Sequence, residues 1–221
     1  MKSKKEKDLK HSASVRTMKS ENLTNNRKLN ILIVGVGGQG ALTTAAIIAR
    51  AAMKEGLNVL TAETHGMAQR GGSVEVHVRI GDVRSPLIPE GGADIVIALE
   101  PSEAIRYSRF LNSSTVIILN SRKIIPPSVS VGIAKYPELH EIVRWLGKVT
   151  KRIHVVNASE IAEKAGNVLA TNVVVVGMLL GLLNVPLRYE SVEEAVKEVL
   201  PERIIEMNLQ ALKMGYESVK G

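Results

Sequence analysis

A chain of 221 residues falls within the range of one large domain, and 45% apolar content suffices for a single continuous core. The absence of cysteine excludes a disulfide, a thiolate zinc site and the usual anchors of an iron–sulfur cluster. The formal charge of +7 is uneven: residues 1–30 hold nine Lys or Arg against three acids, which leaves twenty against nineteen in the rest. Basic character therefore belongs to a tail, and the folded part is nearly neutral. Aromatic residues make up only 3%, so Val, Ile, Leu and Ala must fill the core, which suits buried parallel strands flanked by helices.

Residues 1–28 are rich in Lys, Ser, Asn and Thr and too poor in apolar residues to offset the entropy of ordering, so a disordered basic extension is expected. That tail raises a nucleic-acid-binding alternative, against which stands its lack of any aromatic residue for base stacking. The amino terminus lacks the apolar segment of a secretory signal, and no stretch reaches the roughly 18 clean apolar residues of a spanning helix. No membrane association and a cytoplasmic location are expected.

Residues 29–221 read as a single α/β domain. Leu29 to Val34 is a β-branched apolar run ending at glycine, hence a buried strand. Ala41 to Lys54 has no breaker and stops before Gly56, as a helix would, and Leu57 to Ala62 reads as a second strand, parallel to the first. After a long polar loop from Glu63 to Gly72, Val74, Val76, Val78 and Ile80 alternate with Glu75, His77 and Arg79. This predicts a half-solvated hairpin completed by the run to Ile88, with His77 on the wet face and without a role. Strands follow at 93–99, 115–119 and 153–156. Ser102 is expected to cap a helix through Ile105 to Leu111, and a short helix is expected over 140–146 around Trp145. Asn157 with Glu160 resembles a capping box for a helix closed by Gly166.

The stretch 168–187 is the most apolar, yet Thr171, Asn172 and Asn184 interrupt it, so it reads as a core helix whose Gly177 and Gly181 admit another backbone, rather than a membrane span. Two amphipathic helices end the chain, one starting at Ser191 with Glu194 and one running from Pro201 to Gly215. The sum is a three-layer Rossmann-like α/β fold with a mostly parallel, mixed sheet.

Gly35-Val36-Gly37-Gly38-Gln39-Gly40 lies between a strand and a helix, where bare amides and the positive end of the helix dipole can meet a phosphate. The expected cradle is Gly35, Gly37, Gly38, Gln39 and Gly40, with hydroxyl donors at Thr43 and Thr44. The alternative is that the glycines only let helix and strand pack closely. Lys-Ser or Lys-Thr does not follow Gly40, which excludes a Walker A loop. Glu63 stands where a dinucleotide fold places its ribose acid, which keeps a free-standing NAD(P)-binding oxidoreductase open. Arg70, followed by Gly71 and Gly72, is the expected countercharge, its fork suited to a phosphate or carboxylate, although an arginine there could also merely brace its loop. His65 reads as a surface residue.

These segments together are similar to a known family. The glycine hexapeptide, the loop Glu63-Thr64-His65-Gly66-Met67-Ala68-Gln69-Arg70-Gly71-Gly72-Ser73 with its alternating strand, and the later Asn172…Gly177 and Glu206-Met207-Asn208…Gly215 segments resemble the gamma-type domain of 2-oxoacid:ferredoxin oxidoreductases. The likeness spans residues 29–216, and the form of the Arg70 loop resembles the indolepyruvate branch. It implies a division of labour: a larger partner subunit carries thiamine diphosphate and the iron–sulfur clusters, whereas this chain binds no cofactor alone, has no catalytic residue or metal of its own, and shares coenzyme A in the complex. The resemblance further implies that the complex decarboxylates an aryl 2-oxoacid, passes electrons to ferredoxin and releases an aryl-acetyl coenzyme A. Two sequence features agree: cysteine is absent, and Gly81-Asp82 runs into Val83 without the downstream Asn of a thiamine site. The long basic extension departs from the family pattern.

Overall fold

Strand β1 (Leu29–Val36) buries Ile31, Leu32, Ile33 and Val34 completely, which requires a covered sheet on both faces. The computed structural model, which describes residues 28–65 and 71–220, provides both covers. The basic extension before Lys28, and Arg70, lie outside the described residues.

Helix α1 (Ala41–Lys54) follows the glycine loop and ends where Gly56, at φ 71°, turns the chain into β2 (Val59–His65). Next come β3 (Ser73–Ile80), β4 (Ile95–Ala98), α2 (Pro101–Arg106), β5 (Val116–Asn120), α3 (Pro127–Ser130), α4 (Leu139–Leu146), β6 (Ile153–Val156) and α5 (Ala158–Lys164). Helices α6 (Thr171–Leu182), α7 (Tyr189–Val199) and α8 (Ile205–Glu217) complete the chain. The sheet order is β2-β3-β1-β4-β5-β6. Strands β1, β4, β5 and β6 are parallel neighbours, whereas β3 runs antiparallel to both β1 and β2. One sheet face, through Ile33, Ile97 and Ile118, packs on α1 and α5–α8; the other, through Leu32, Val96, Ile117 and Leu119, packs on α2 and α4. The three layers and the mixed, mostly parallel sheet are as the sequence predicts. No helix among the described residues is long and apolar enough to cross a membrane.

The placement of β3 corrects the expected hairpin. β3 pairs with β2, not with the run to Ile88, and sits between β1 and β2, so these two are parallel without being neighbours. Its polar face is not solvated: His77 is 1% exposed and Glu75 8%. The cover is a 3-10 turn, Ser108–Phe110, and the chain entering Ile88. Phe110 meets the His77 ring edge-on at 5.4 Å, and Arg109 stacks over Phe110 while its guanidinium lies 3.2 Å from Glu75. Glu75 also accepts a 2.6 Å bond from the Thr64 hydroxyl.

The Ile88 amide donates to Nδ1 of His77 at 3.2 Å, so the neutral ring carries its proton on Nε2, 3.5 Å from Glu75. Burial pushes the His77 imidazole below its ordinary range, against the opposing pull of Glu75. The unfolded chain then binds the proton more readily, so stability is full above the unfolded pKa near 6.5 and falls as pH drops toward the depressed folded value. Thermal melts between pH 7.5 and 5 should show a falling Tm that flattens in His77→Gln; parallel slopes in the two proteins would contradict this.

Three expected caps also move. Glu100, not Ser102, caps α2, accepting from the amides of Ser102 and Glu103. Ser191 lies inside the first turn of α7, buried, where its hydroxyl donates to Glu55 at 2.5 Å. Gly215 does not end α8 but lies within it, against Val174 of α6. For Ser191 and Gly215 a long-range contact overrode a locally sensible signal. Asn157 does cap α5, accepting from the Glu160 amide at 3.2 Å.

Candidate functional site

In an open parallel sheet a ligand is held where strand connections diverge, beyond the carboxyl ends of the strands. Here that point lies between β1 and β4, and a cleft of about 450 Å³ opens beside it. Its lining is Gly37, Gly38 and Gln39 after β1, Arg122, Lys123 and Ile124 after β5, Ser159 in α5, and Val168, Leu169 and Thr171 at the start of α6.

The glycine loop is braced from within. Gln39 accepts from the Val36 amide at 2.8 Å and donates to the Leu99 carbonyl at 3.0 Å, so both ends of its side chain hold the main chain. Gly37 donates its amide to Gly72 at 2.7 Å, and Gly71 returns a 3.5 Å bond to the Gly37 carbonyl, tying the loop to the stem of the hairpin. Gly35 faces Leu99 and the Gln39 side chain, with no room for a Cβ. Gly38 and Gly40 adopt φ of 100° and 81°, where side chains are strained, and Gly40 also packs directly on Asn172. Among the described residues the amides of Gly38 and Gly40 donate to no carbonyl, and α1 begins immediately after with no acid in its first turn. Thr44 spends its hydroxyl on the Gly40 carbonyl at 3.1 Å, whereas Thr43 is half-buried one position earlier.

The opposite wall was missed by sequence reasoning. Arg122 and Lys123 sit in a segment whose irregular composition hides its place, and only the pairing of β5 beside β4 brings them to the cleft. Glu100, fully buried at the end of β4, holds this segment: it accepts from the Ile124 amide at 3.3 Å and from the Tyr136 hydroxyl. Burial, and the Glu100 carboxylate it bonds, push the Tyr136 phenol well above its ordinary range, so it stays a donor. Lys123 lies 5.6 Å from the centre of the Tyr136 ring and 2.8 Å from Glu138. Arg122 pairs with Glu163 at 3.2 Å.

Beside the cleft, Asn120 donates to the Leu99 carbonyl at 3.1 Å and to Ser159 at 3.2 Å. Its own Oδ1 is buried and has no donor among the described residues, a cost that binding sites tolerate and plain cores seldom do. Glycine-loop main chain, Arg122, Lys123 and the Ser159 hydroxyl thus line one space among the described residues, donor types that suit an anion. The structure brings Gly37, Gly38 and Gln39 into this site. Gly71 and Gly72 adjoin it through Gly37, while Gly35, Gly40 and Thr43 stand behind it.

The geometry disfavours a dinucleotide. Glu63 pairs with Val76, which pairs with Ile33, so a full strand separates it from β1, or about 10 Å at the usual strand spacing. An acid so placed is out of register with a ribose held over the glycine loop.

The family model for pyruvate ferredoxin/flavodoxin oxidoreductase matches residues 30–218. The chain is 72% identical, over 86% of its length and 94% of the relative's, to the indolepyruvate oxidoreductase subunit IorB of Archaeoglobus fulgidus. The crystal structure of the gamma subunit of a keto/oxoacid ferredoxin oxidoreductase from Geobacter sulfurreducens superposes with a TM-score of 0.64, at 24% identity, covering 86% of this chain and 98% of that one. A 2-oxoglutarate:ferredoxin oxidoreductase from Magnetococcus marinus, solved with 2-oxoglutarate, coenzyme A and succinyl-CoA bound, has a TM-score of 0.66 at 19% identity, covering 89% of this chain and 32% of that one. At these identities the two structures speak for the fold.

Proposed function

Since the chain belongs to the pyruvate ferredoxin/flavodoxin oxidoreductase family, we propose that it is the small subunit of a ferredoxin-reducing 2-oxoacid oxidoreductase that acts on indolepyruvate. The observation that carries this reading is the 72% identity to an indolepyruvate oxidoreductase subunit across nearly the full length of both chains.

The residues present fit one role and not others. Without cysteine the chain cannot hold a cluster through thiolates, and among the described residues no acid-base groups converge on the cleft as a reacting set. As the resemblance to the family implies, redox chemistry and decarboxylation belong to a larger subunit carrying thiamine diphosphate and iron–sulfur clusters, with ferredoxin as acceptor. The cleft suits coenzyme A, which supplies the thiol that takes up the acyl group. The Gly38 amide, with Arg122, Lys123 and the Ser159 hydroxyl, would hold its phosphate-bearing end, while the expected countercharge Arg70 precedes Gly71 in the sequence. This chain's part is to bind and orient that ligand and to leave its reactive end free toward the partner.

Reconstitution tests the reading. The isolated chain should reduce no ferredoxin with indolepyruvate, and adding the larger subunit should produce coenzyme A-dependent reduction. Turnover by the isolated chain, or full activity of the larger subunit without it, would refute the assignment.

A further inference from the structure

Arg122 and Lys123, the cations lining the cleft among the described residues, are already engaged. Lys123 lies 2.8 Å from Glu138, and Arg122 lies 3.2 Å from Glu163. Among the described residues neither carboxylate has a second cationic partner within ion-pair distance. The Glu138 side chain is exposed, and its residue stands at the N-terminal boundary of α4, where the main-chain amide donates to Glu141 at 2.9 Å. Glu163 is carried by α5, the helix that also presents Ser159 to the cleft.

We infer that Glu138 and Glu163 are specificity-determining residues, internal counter-ions that an entering anion must displace from Lys123 and Arg122. The inference rests on the reading that a phosphate-bearing ligand occupies this cleft. Its physical content is an exchange. A simple carboxylate replacing Glu138 or Glu163 forms the same kind of pair as the one it breaks, and it competes against a group tethered at high effective concentration. It gains nothing, so the 2-oxoacid and other monocarboxylates are kept out. A nucleoside diphosphate carries more charge, spans both cations and reaches the glycine-loop amides, which no tethered carboxylate does. The same competition limits how tightly the ligand is held and so favours its release. The lowered protonation range of Glu138, set first by its bond to Lys123, agrees with a pair that is formed at neutral pH.

The assembled two-subunit enzyme provides the test, through the KM for coenzyme A and the inhibition constants of ADP and acetate against it. In Glu138→Gln and Glu163→Gln, KM and the ADP constant should each fall about two- to fivefold per carboxylate removed, the range of exposed pairs. Acetate, without effect on the wild type, should inhibit the double variant. Constants that stay put or rise in the double variant overturn the inference, provided Arg122→Gln and Lys123→Gln still raise KM. If those two also leave KM unchanged, coenzyme A does not bind here and the underlying reading fails with it.

Discussion

Replacing Arg122 and Lys123 together by glutamine should raise the KM for coenzyme A about a hundredfold in the assembled enzyme and leave kcat at saturating ligand within about twofold. A charge-assisted hydrogen bond to phosphate is worth about 1.5–3 kcal/mol when sheltered. The Arg122 and Lys123 side chains are 46% and 32% exposed, which brings each contribution down to about 1–2 kcal/mol. Their sum, about 3 kcal/mol, corresponds to two decades in affinity. The loss should fall on KM because, in the proposed binding mode, these contacts hold the remote end of the ligand equally in ground and transition states. Raised ionic strength should weaken the wild type toward the variant. Lys148 and Lys151, cations outside the cleft lining, serve as matched controls whose replacement should leave KM unmoved. An unaltered KM in the Arg122, Lys123 double variant would remove the cleft from coenzyme A binding.

The glycine loop was legible because its message is local: a β-branched run, glycines at fixed offsets, a helix without breakers and a stop at Gly56. What lies opposite was not. Arg122 and Lys123 follow β5 and reach the loop only because two crossovers bring the ends of β1, β4 and β5 side by side. Nothing in the local spacing of Arg122 encodes that adjacency. The same limit explains His77. Strict alternation marks β3, but nothing near it in the chain shows that its polar face is covered, because Phe110, which covers it, lies thirty-three residues further on. Gln39 marks a third boundary. The hexapeptide places it at the mouth of a phosphate cradle, yet its amide bonds to Val36 and Leu99 make it the brace that shapes the loop. Pattern located the glycine loop, while the partners of each polar atom had to come from the tertiary structure.

Alanine at Gly215 or Gly177 should cost about 3 kcal/mol or more, among the largest effects available to so small a change. Helices α6 and α8 touch backbone to backbone. A Cβ on Gly177 would lie 2.1 Å from the Leu212 carbonyl oxygen, and one on Gly215 would lie 2.2 Å from that of Val174. Neither obstacle is a side chain that can swing aside, so relief requires the helices to separate. Separation is expensive here because α6 is apolar around its circumference: Val173 to Val176 are all fully buried between the sheet and neighbouring helices. The run of four valines has modest intrinsic helicity, so the helix depends on that burial. A fall in Tm of roughly 6–12 °C is expected at this chain length. Gly38→Ala provides the contrast, since nothing lies within 4 Å of a Cβ there and only its φ of 100° is strained. It should cost about 1–2 kcal/mol. The helix contact also reaches the cleft, because α6 begins with Thr171 in the cleft wall and Asn172 against Gly40. A Gly177→Ala protein assayed below its lowered Tm should therefore still show a raised KM for coenzyme A. Unchanged melting in both variants would mean that α6 and α8 do not meet along their glycines.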